Sequence, residues 1–297
     1  MKVFYFTCIL IYSLIFVSCG KIKENNKQIQ KNKNNSDEQK ISKIIDDENK
    51  DFEEKRINKM IERKNLDSLR QIKILNEAIE TAKTKSNGEA YHTEYFVPSV
   101  PELMDVKVNI ICGHLFSNNF NHLLIRRITV WDAYLDIYLF TDSGYNSVVH
   151  RFQDDMSYQN DTIRDINGDR QPDYLVHWYP SSGCCRRNVY NVYLYKPETG
   201  NFSNDYEFIN PTFFPDEKLI RGVEYGHPGS VELYKYKWNG FQVDTIEYIY
   251  PDKHNKINRS FIKSNRIYPA DSIQENKIST IPDEYLKIES IDWFNNY

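Results

Sequence analysis

The sequence predicts an antiparallel all-β main domain preceded by an amphipathic α-helical segment, and three observations carry that prediction. Between Tyr91 and Pro251, short runs rich in β-branched and aromatic residues alternate apolar with polar positions: "VKVNIIC", "HLLIRRITVW", "YLDIYLF", "DYLVHWY", "NVYNVYLY", "SVELYKYKW" and "FQVDTIEYIY". Gly, Asn, Asp and Pro punctuate them, and "KPETGNF" and "KWNGF" have the composition of hairpin turns. Upstream, residues 37–88 repeat apolar residues at helical spacing, whereas no strand of the main domain alternates with a helix, which argues against a parallel α/β sheet.

Along the 297-residue chain, residues 1–18 read as a secretory signal. Lys2 precedes an apolar run from Val3 to Val17, too short to span a bilayer comfortably, and Ser18 precedes Cys19. The stretch "IFVSCG" resembles the lipobox of bacterial lipoproteins. That resemblance implies lipidation of Cys19, a membrane anchor through the acyl chains, and a place in the cell envelope, at the outer membrane. Several acyl chains anchor stably where one does not. Residues 19–36 hold almost no apolar content and read as a flexible tether.

In residues 37–88 the apolar series runs Ile41, Ile44, Ile45, Phe52, Ile57, Met60 and Ile61. It resumes with Leu66, Leu69, Ile72, Leu75, Ile79 and Ala82, after an interruption at Lys64–Asn65. Ser36 with Gln39 has capping-box spacing, and Asn87-Gly88 is a suitable stop. The segment reads as one or two amphipathic helices lying on the domain or in solvent, with a stalk or oligomerisation helix as the alternative. Residues 91–251 form the β domain, and residues 252–297 are a polar tail of which only "EYLKIESIDWF" has the content to dock. A formal net charge of −4 gives no electrostatic footprint for nucleic acid.

The stretch "DINGDRQPD" sets oxygen donors at alternating loop positions: Asp165, Asn167, Asp169, a main-chain carbonyl from Gln171, and Asp173. Hard oxygens wrapped in this order suit Ca²⁺, which accepts six to eight of them. The twelfth position is Val176 rather than Glu, and both flanks read as strands, so a helical EF-hand is a poor reading. Arg170 stands where such loops use glycine for the sharp bend, which demands a strained or different backbone there. No His lies in the loop, and a catalytic metal would need open positions and a base, so the reading is a structural ion in a non-enzymatic protein.

Strand–acidic loop–strand resembles the calcium loops of FG-GAP/VCBS-type repeats, as in integrin-like β-propellers, with the pattern D-x-N-x-D-G-x-x-D. Farther on, "NVYNVYLYKPETGNF", "INPTFFPDEKLIRGVEYG" and "LYKYKWNGFQV" resemble a group of secreted bacterial proteins that pair one such loop with a "YKWNG" hairpin. Some members are described as periplasmic, calcium-binding, propeller-like immunity proteins that inhibit cell-wall-degrading effectors. The resemblance implies a partly or fully propeller-like domain, Ca²⁺ on the five residues named, and a cell-wall hydrolase as partner.

The loop "YPSSGCCRRN" concentrates Tyr179, Ser182, Arg186 and Arg187, residue types suited to binding a protein or polysaccharide. It lies next to the acidic loop in sequence. Cys112, Cys184 and Cys185 leave two disulfide arrangements open: Cys112 with one of the adjacent pair, or a strained vicinal bridge. An envelope glycan hydrolase using Asp or Glu, and an assembly protein oligomerising through its helix, are the alternative functions.

Overall fold

A computed structural model describes residues 34–86, 90–181, 185, 187–252, 260–267 and 276–295, with side chains from residue 50 onward. Cys19, Ser182, Cys184 and Arg186 lie outside the described residues, as do the signal and most of the tether. The chain divides into two units, residues 1–60 and 61–297. Among the described residues no helix is long and apolar enough to cross a membrane.

Helix α1 runs from Asn34 to Ser86 without a break at Lys64–Asn65. It starts before Ser36, which is therefore not its N-cap. Every described side chain of the first unit, residues 50–60, is exposed. In the second unit the packed line of the helix is Gln71, Ile74, Ala78, Ala82 and Ser86, all buried, with Leu75 and Ile79 partly so. Most of the stripe expected from the sequence faces solvent instead: Phe52, Ile57, Met60, Ile61, Leu66, Leu69 and Ile72. The reason is steric. Ala78 and Ala82 let the helix axis approach the sheet, and burying Ile74 contributes about 1.5–3 kcal/mol.

That sheet is formed by β1 (Tyr91–Val97), β2 (Val106–Gly113), β3 (His122–Ile128), β4 (Ala133–Thr141) and β5 (Gly144–Gln153), antiparallel in chain order. Alternation assigns its faces. Val106, Val108, Ile110 and Cys112 of β2, with Leu123 and Ile125 of β3, meet the helix. Leu124, Leu135, Ile137 and Val149 point to the other face. Arg127 ties helix to sheet, donating to the Gln71 main-chain carbonyl at 2.6 Å and to Asp136 Oδ2 at 2.8 Å. With both side chains under 4% exposed, removing one partner would strand the other charge.

The second sheet holds β6 (Tyr158–Arg164), β7 (Asp173–Trp178) and β8 (Val189–Tyr193). After a small hairpin of β9 (Tyr195–Lys196) and β10 (Asn201–Phe202), β11 (Tyr206–Ile209) pairs back onto β8, giving the order β11-β8-β7-β6. Tyr174, Val176 and Tyr193 pack on the first sheet, and Leu175, Val192 and Leu194 pack on the third. Between the first two sheets, Arg126 Nε meets both oxygens of Asp161 at 2.8 and 2.9 Å.

The third sheet runs in chain order through β12 (Pro211–Phe214), β13 (Leu219–Val223), β14 (Leu233–Asn239), β15 (Gln242–Pro251), β16 (Phe261–Ser264) and β17 (Lys277–Ile278). Its inner face carries Ile220, Tyr234, Trp238 and Tyr248. Gly222 is required by the register, because a Cβ there would overlap the ring of Tyr234, whose hydroxyl donates to Ile209 O at 2.8 Å. The outer face is covered by a 3₁₀ turn at Asp283–Tyr285 and by α2 (Ile291–Asn295), through Tyr285, Ile288 and Phe294. Ion pairs fasten this segment, with Glu284 bridging Arg221 at 2.9 Å and Lys235 at 2.5 Å.

The second unit is thus mostly antiparallel β-sheet: three sheets stacked face to face, with the helix on one outer face and the C-terminal segment on the other. Among the described residues no closed barrel or propeller ring is found.

Candidate functional site

The acidic stretch is the turn from β6 to β7, and the structure shows how it is wound. Asp165 accepts from Gly168 N at 2.7 Å and from Arg170 N at 2.9 Å. Asn167 Oδ1 accepts from Asp169 N at 3.1 Å, and Asp169 Oδ1 accepts from Gln171 N at 2.8 Å. Asn167 Nδ2 donates to Asp169 Oδ2 at 3.0 Å. These are Asx turns in series, which coil the backbone around its own side-chain oxygens.

Two left-handed residues make the coil tight enough, Gly168 at φ +77° and Arg170 at φ +67°. Arg170 therefore adopts the conformation for which glycine is the usual residue. Gly168 also packs where no side chain fits: a Cβ would overlap the carbonyl oxygen of Pro215, in the turn that follows β12. Ile166, wholly buried, pins the coil to the core between the second and third sheets.

Asp173 is fully buried, and both its oxygens accept main-chain N–H groups, from Ile166 and from Tyr195, each at 2.9 Å. The sequence placed Asp173 among the cation ligands. Its observed role is a strut joining the coil to the start of β9. Burial pushes its carboxyl up to about 7; the two N–H groups pull the other way, and Asp169 and Asp165 add to the rise.

Among the described residues, no Lys or Arg forms an ion pair with Asp165, Asp169 or Asp173. Nor are three His, Cys, Asp or Glu side chains gathered closely enough to hold a metal ion by themselves. A hard cation would thus depend on Asn167 and on the main-chain carbonyl of Gln171 beside Asp165 and Asp169. Those donors are all oxygens, as Ca²⁺ requires, and the local charge is uncompensated.

The described start of the Cys-Arg loop at Tyr179 is adjacent to the acidic coil in sequence but not in space. It leaves the far end of β7, whose six residues separate the two loops by roughly 20 Å. Tyr179 N donates to Ser157 O at 2.7 Å, fixing the loop's start to the β5–β6 turn. The Arg187 guanidinium lies over the Tyr225 ring at 5.1 Å. Cys185 Sγ lies 3.8 Å from His227 Nδ1, a thiol–imidazole neighbourhood that the sequence, in which the two stand 42 positions apart, did not reveal.

Cys112 is a buried free thiol on the helix side of the first sheet, 3.4 Å from the Tyr145 hydroxyl. The bridge from Cys112 to the adjacent cysteines is therefore not formed: its side chain is directed away from the second sheet. A bridge within the vicinal pair involves Cys184 and lies outside the described residues. His122 is a core residue, 2.7 Å from Gly200 O and packed edge-on against Phe116. Burial lowers its pKa.

Two features at the Tyr179 end went unrecognised in the sequence. β3 ends at Ile128, so Val130 and Trp131, read as strand, lie in an exposed turn. Asp155 and Met156, in the turn between β5 and β6, are both left-handed, at φ +57° and +55°. An aromatic residue directly followed by Asp132 was the available signal that the strand had already ended. Comparison with known proteins finds no matching family model, no matching curated protein and no matching solved structure.

Proposed function

We propose that this chain is a binding protein of the cell envelope, anchored by lipid on Cys19 at the outer membrane, whose acidic coil takes Ca²⁺ as a structural ion. Asp165, Asn167, Asp169 and the Gln171 carbonyl would hold the ion, and Asp173 would brace them. The stacked sheets then act as a rigid platform that presents loops to a protein or polysaccharide. Inhibition of a cell-wall-degrading enzyme, on a propeller-like scaffold, is the form the motif resemblance suggests.

The observation that carries the reading is the coil itself: carboxylates drawn inward by backbone N–H groups, with no Lys or Arg among the described residues paired to them. A bound divalent cation would relieve that like-charge repulsion and stabilise the folded state in proportion to its occupancy. Titration with Ca²⁺ followed by thermal melting tests this. The expected result is a rise in melting temperature in the wild type that Asp169→Ala removes. An unchanged wild-type melt, or an equal rise in Asp169→Ala, would falsify the metal reading.

A further inference from the structure

The loops at the Tyr179 end of β7 gather apolar side chains that the described chain leaves uncovered. Val130 is 68% exposed, Trp131 44%, Met156 52%, Phe152 45% and Tyr179 37%. Phe152 lies near the end of β5, and the other four come from three connections that hold one another. Met156 N donates to Trp131 O at 2.7 Å, joining the β5–β6 turn to the β3–β4 turn. Tyr179 N donates to Ser157 O at 2.7 Å, and the Ser181 hydroxyl donates to Asp155, joining the third. Phe152 rests on Tyr134 with ring centroids 4.7 Å apart. The patch is fixed before any partner arrives, so little ordering entropy would oppose its use.

Its rim is negative. Asp132 follows Trp131 in the β3–β4 turn and Asp154 and Asp155 precede Met156, and Asp67 of α1 lies near enough to act on Asp132 by its charge. Burial, then Asp67, Asp154 and Asp155 as neighbouring charges, push the Asp132 carboxyl up from its ordinary value. Among the described residues none of the four forms an ion pair. An apolar centre inside an uncompensated acidic rim selects its occupant by charge. A polyanion or an anionic lipid surface is repelled. A neutral sugar can donate hydroxyls to carboxylates but leaves the net charge of the rim unneutralised. A guanidinium both stacks on an indole and forms paired hydrogen bonds to a carboxylate, and its weak hydration makes desolvation cheap.

We propose that this end of the second unit is a docking surface for a cationic protein segment, one that sets arginine beside an apolar side chain over Trp131 and Met156. It deepens the binding reading and rests on it only in assigning the chain a protein partner; it does not require a cation in the acidic coil.

The test uses purified full-length protein and a fluorescein-labelled peptide of alternating Arg and Leu, read by fluorescence anisotropy at low and high salt. Two control peptides replace Arg by Glu, or Leu by Ser. The wild type should bind the Arg/Leu peptide, more weakly at high salt and more tightly than either control. Trp131→Ala, and the triple change Asp132→Asn, Asp154→Asn, Asp155→Asn, should each weaken binding about tenfold or more. Asp142→Asn, in the β4–β5 turn at the other end of the first sheet, should bind as the wild type does. Trp131 is exposed, so melting curves of its variant should match the wild type and keep the comparison clean. Equal peptide binding by wild type, Trp131→Ala and the triple variant overturns the proposal. So does Trp131-dependent binding of chitohexaose that the triple variant retains, which would assign the surface to a glycan. Loss of the Ca²⁺ effect alone sinks the metal reading and leaves this one standing.

Discussion

The two ends of β7 are built from the same material and use it in opposite ways. Each carries an Asp-rich turn that contains left-handed residues other than glycine: Arg170 at one end, Asp155 and Met156 at the other. In the β6–β7 turn the carboxylates face inward, and Asp165, Asp169 and Asp173 each accept main-chain N–H groups. In the turns at the Tyr179 end, beside exposed Trp131 and Met156, Asp132 accepts the Asp155 main-chain N–H and Asp155 accepts the Ser181 hydroxyl, while Asp67, Asp154 and Asp155 still raise the Asp132 carboxyl by like charge. An acidic turn is thus defined by how fully its own backbone engages its oxygens rather than by how many acids it contains. The first arrangement stabilises the fold; the second costs stability and leaves charge and apolar surface available.

The largest effect that would break this contrast is at Asp173. Asp173→Ala leaves the buried N–H groups of Ile166 and Tyr195 without acceptors and should cost about 3 kcal/mol, read as a lower urea midpoint with an unchanged slope. A loss under about 1 kcal/mol would mean that the coil is not held by this strut. Next comes Arg170→Gly, which removes the left-handed penalty of about 1–2 kcal/mol and adds unfolded-chain entropy of about 0.5–1 kcal/mol, a net gain of roughly 0.5 kcal/mol. Thermal melting should show the gain, and a decrease would mean that the Arg170 side chain contributes something its backbone geometry does not reveal.

The smallest effect concerns the open end and pH. The folded pKa of Asp132 is raised above its ordinary value of 3.8 by burial and by its acidic neighbours. The folded state therefore binds this proton more tightly than the unfolded chain does. The stabilising contribution is complete below about pH 3.8 and disappears as pH rises through the folded pKa. Asp132→Asn should raise the melting temperature slightly at pH 7 relative to wild type, with the difference shrinking toward pH 4. Solvent screening keeps the effect to a few tenths of a kcal/mol. An Asn variant that melts lower at pH 7 would show that the carboxylate is compensated after all.

The strands were legible because alternation survives in the core of each sheet. "VKVNIIC" became β2 and "SVELYKYKW" became β14 for that reason. β1, "YHTEYFV", was missed as an edge strand whose side chains never become fully buried, so its pattern is weak. The helix was legible as a helix and Leu75, Ile79 and Ala82 as part of its contact line, but Ile74 and Ala78 were not, since Ala78 carries little hydrophobic signal while exposed Leu69 and Ile72 carry much. The acidic coil was legible from spacing because its hydrogen bonds are local, two to five residues apart. The Tyr179 end was not, since it forms only when turns separated by some 25 residues meet across sheets, and sequence proximity pointed instead to the acidic coil. Arg170 was rightly singled out as the position that needs an unusual backbone.

The closeness of α1 to its sheet has a chemical consequence. Cys112 is only 6% exposed, in the cluster that includes Ala78 and Ala82, so the docked helix is what keeps this thiol from reagents and from exchange partners. Its rate of alkylation is consequently a clock for how often the helix lifts, since reaction requires an opening whose free energy sets the exposed fraction. In an oxidising compartment the same clock would govern how long a lone sulfhydryl survives.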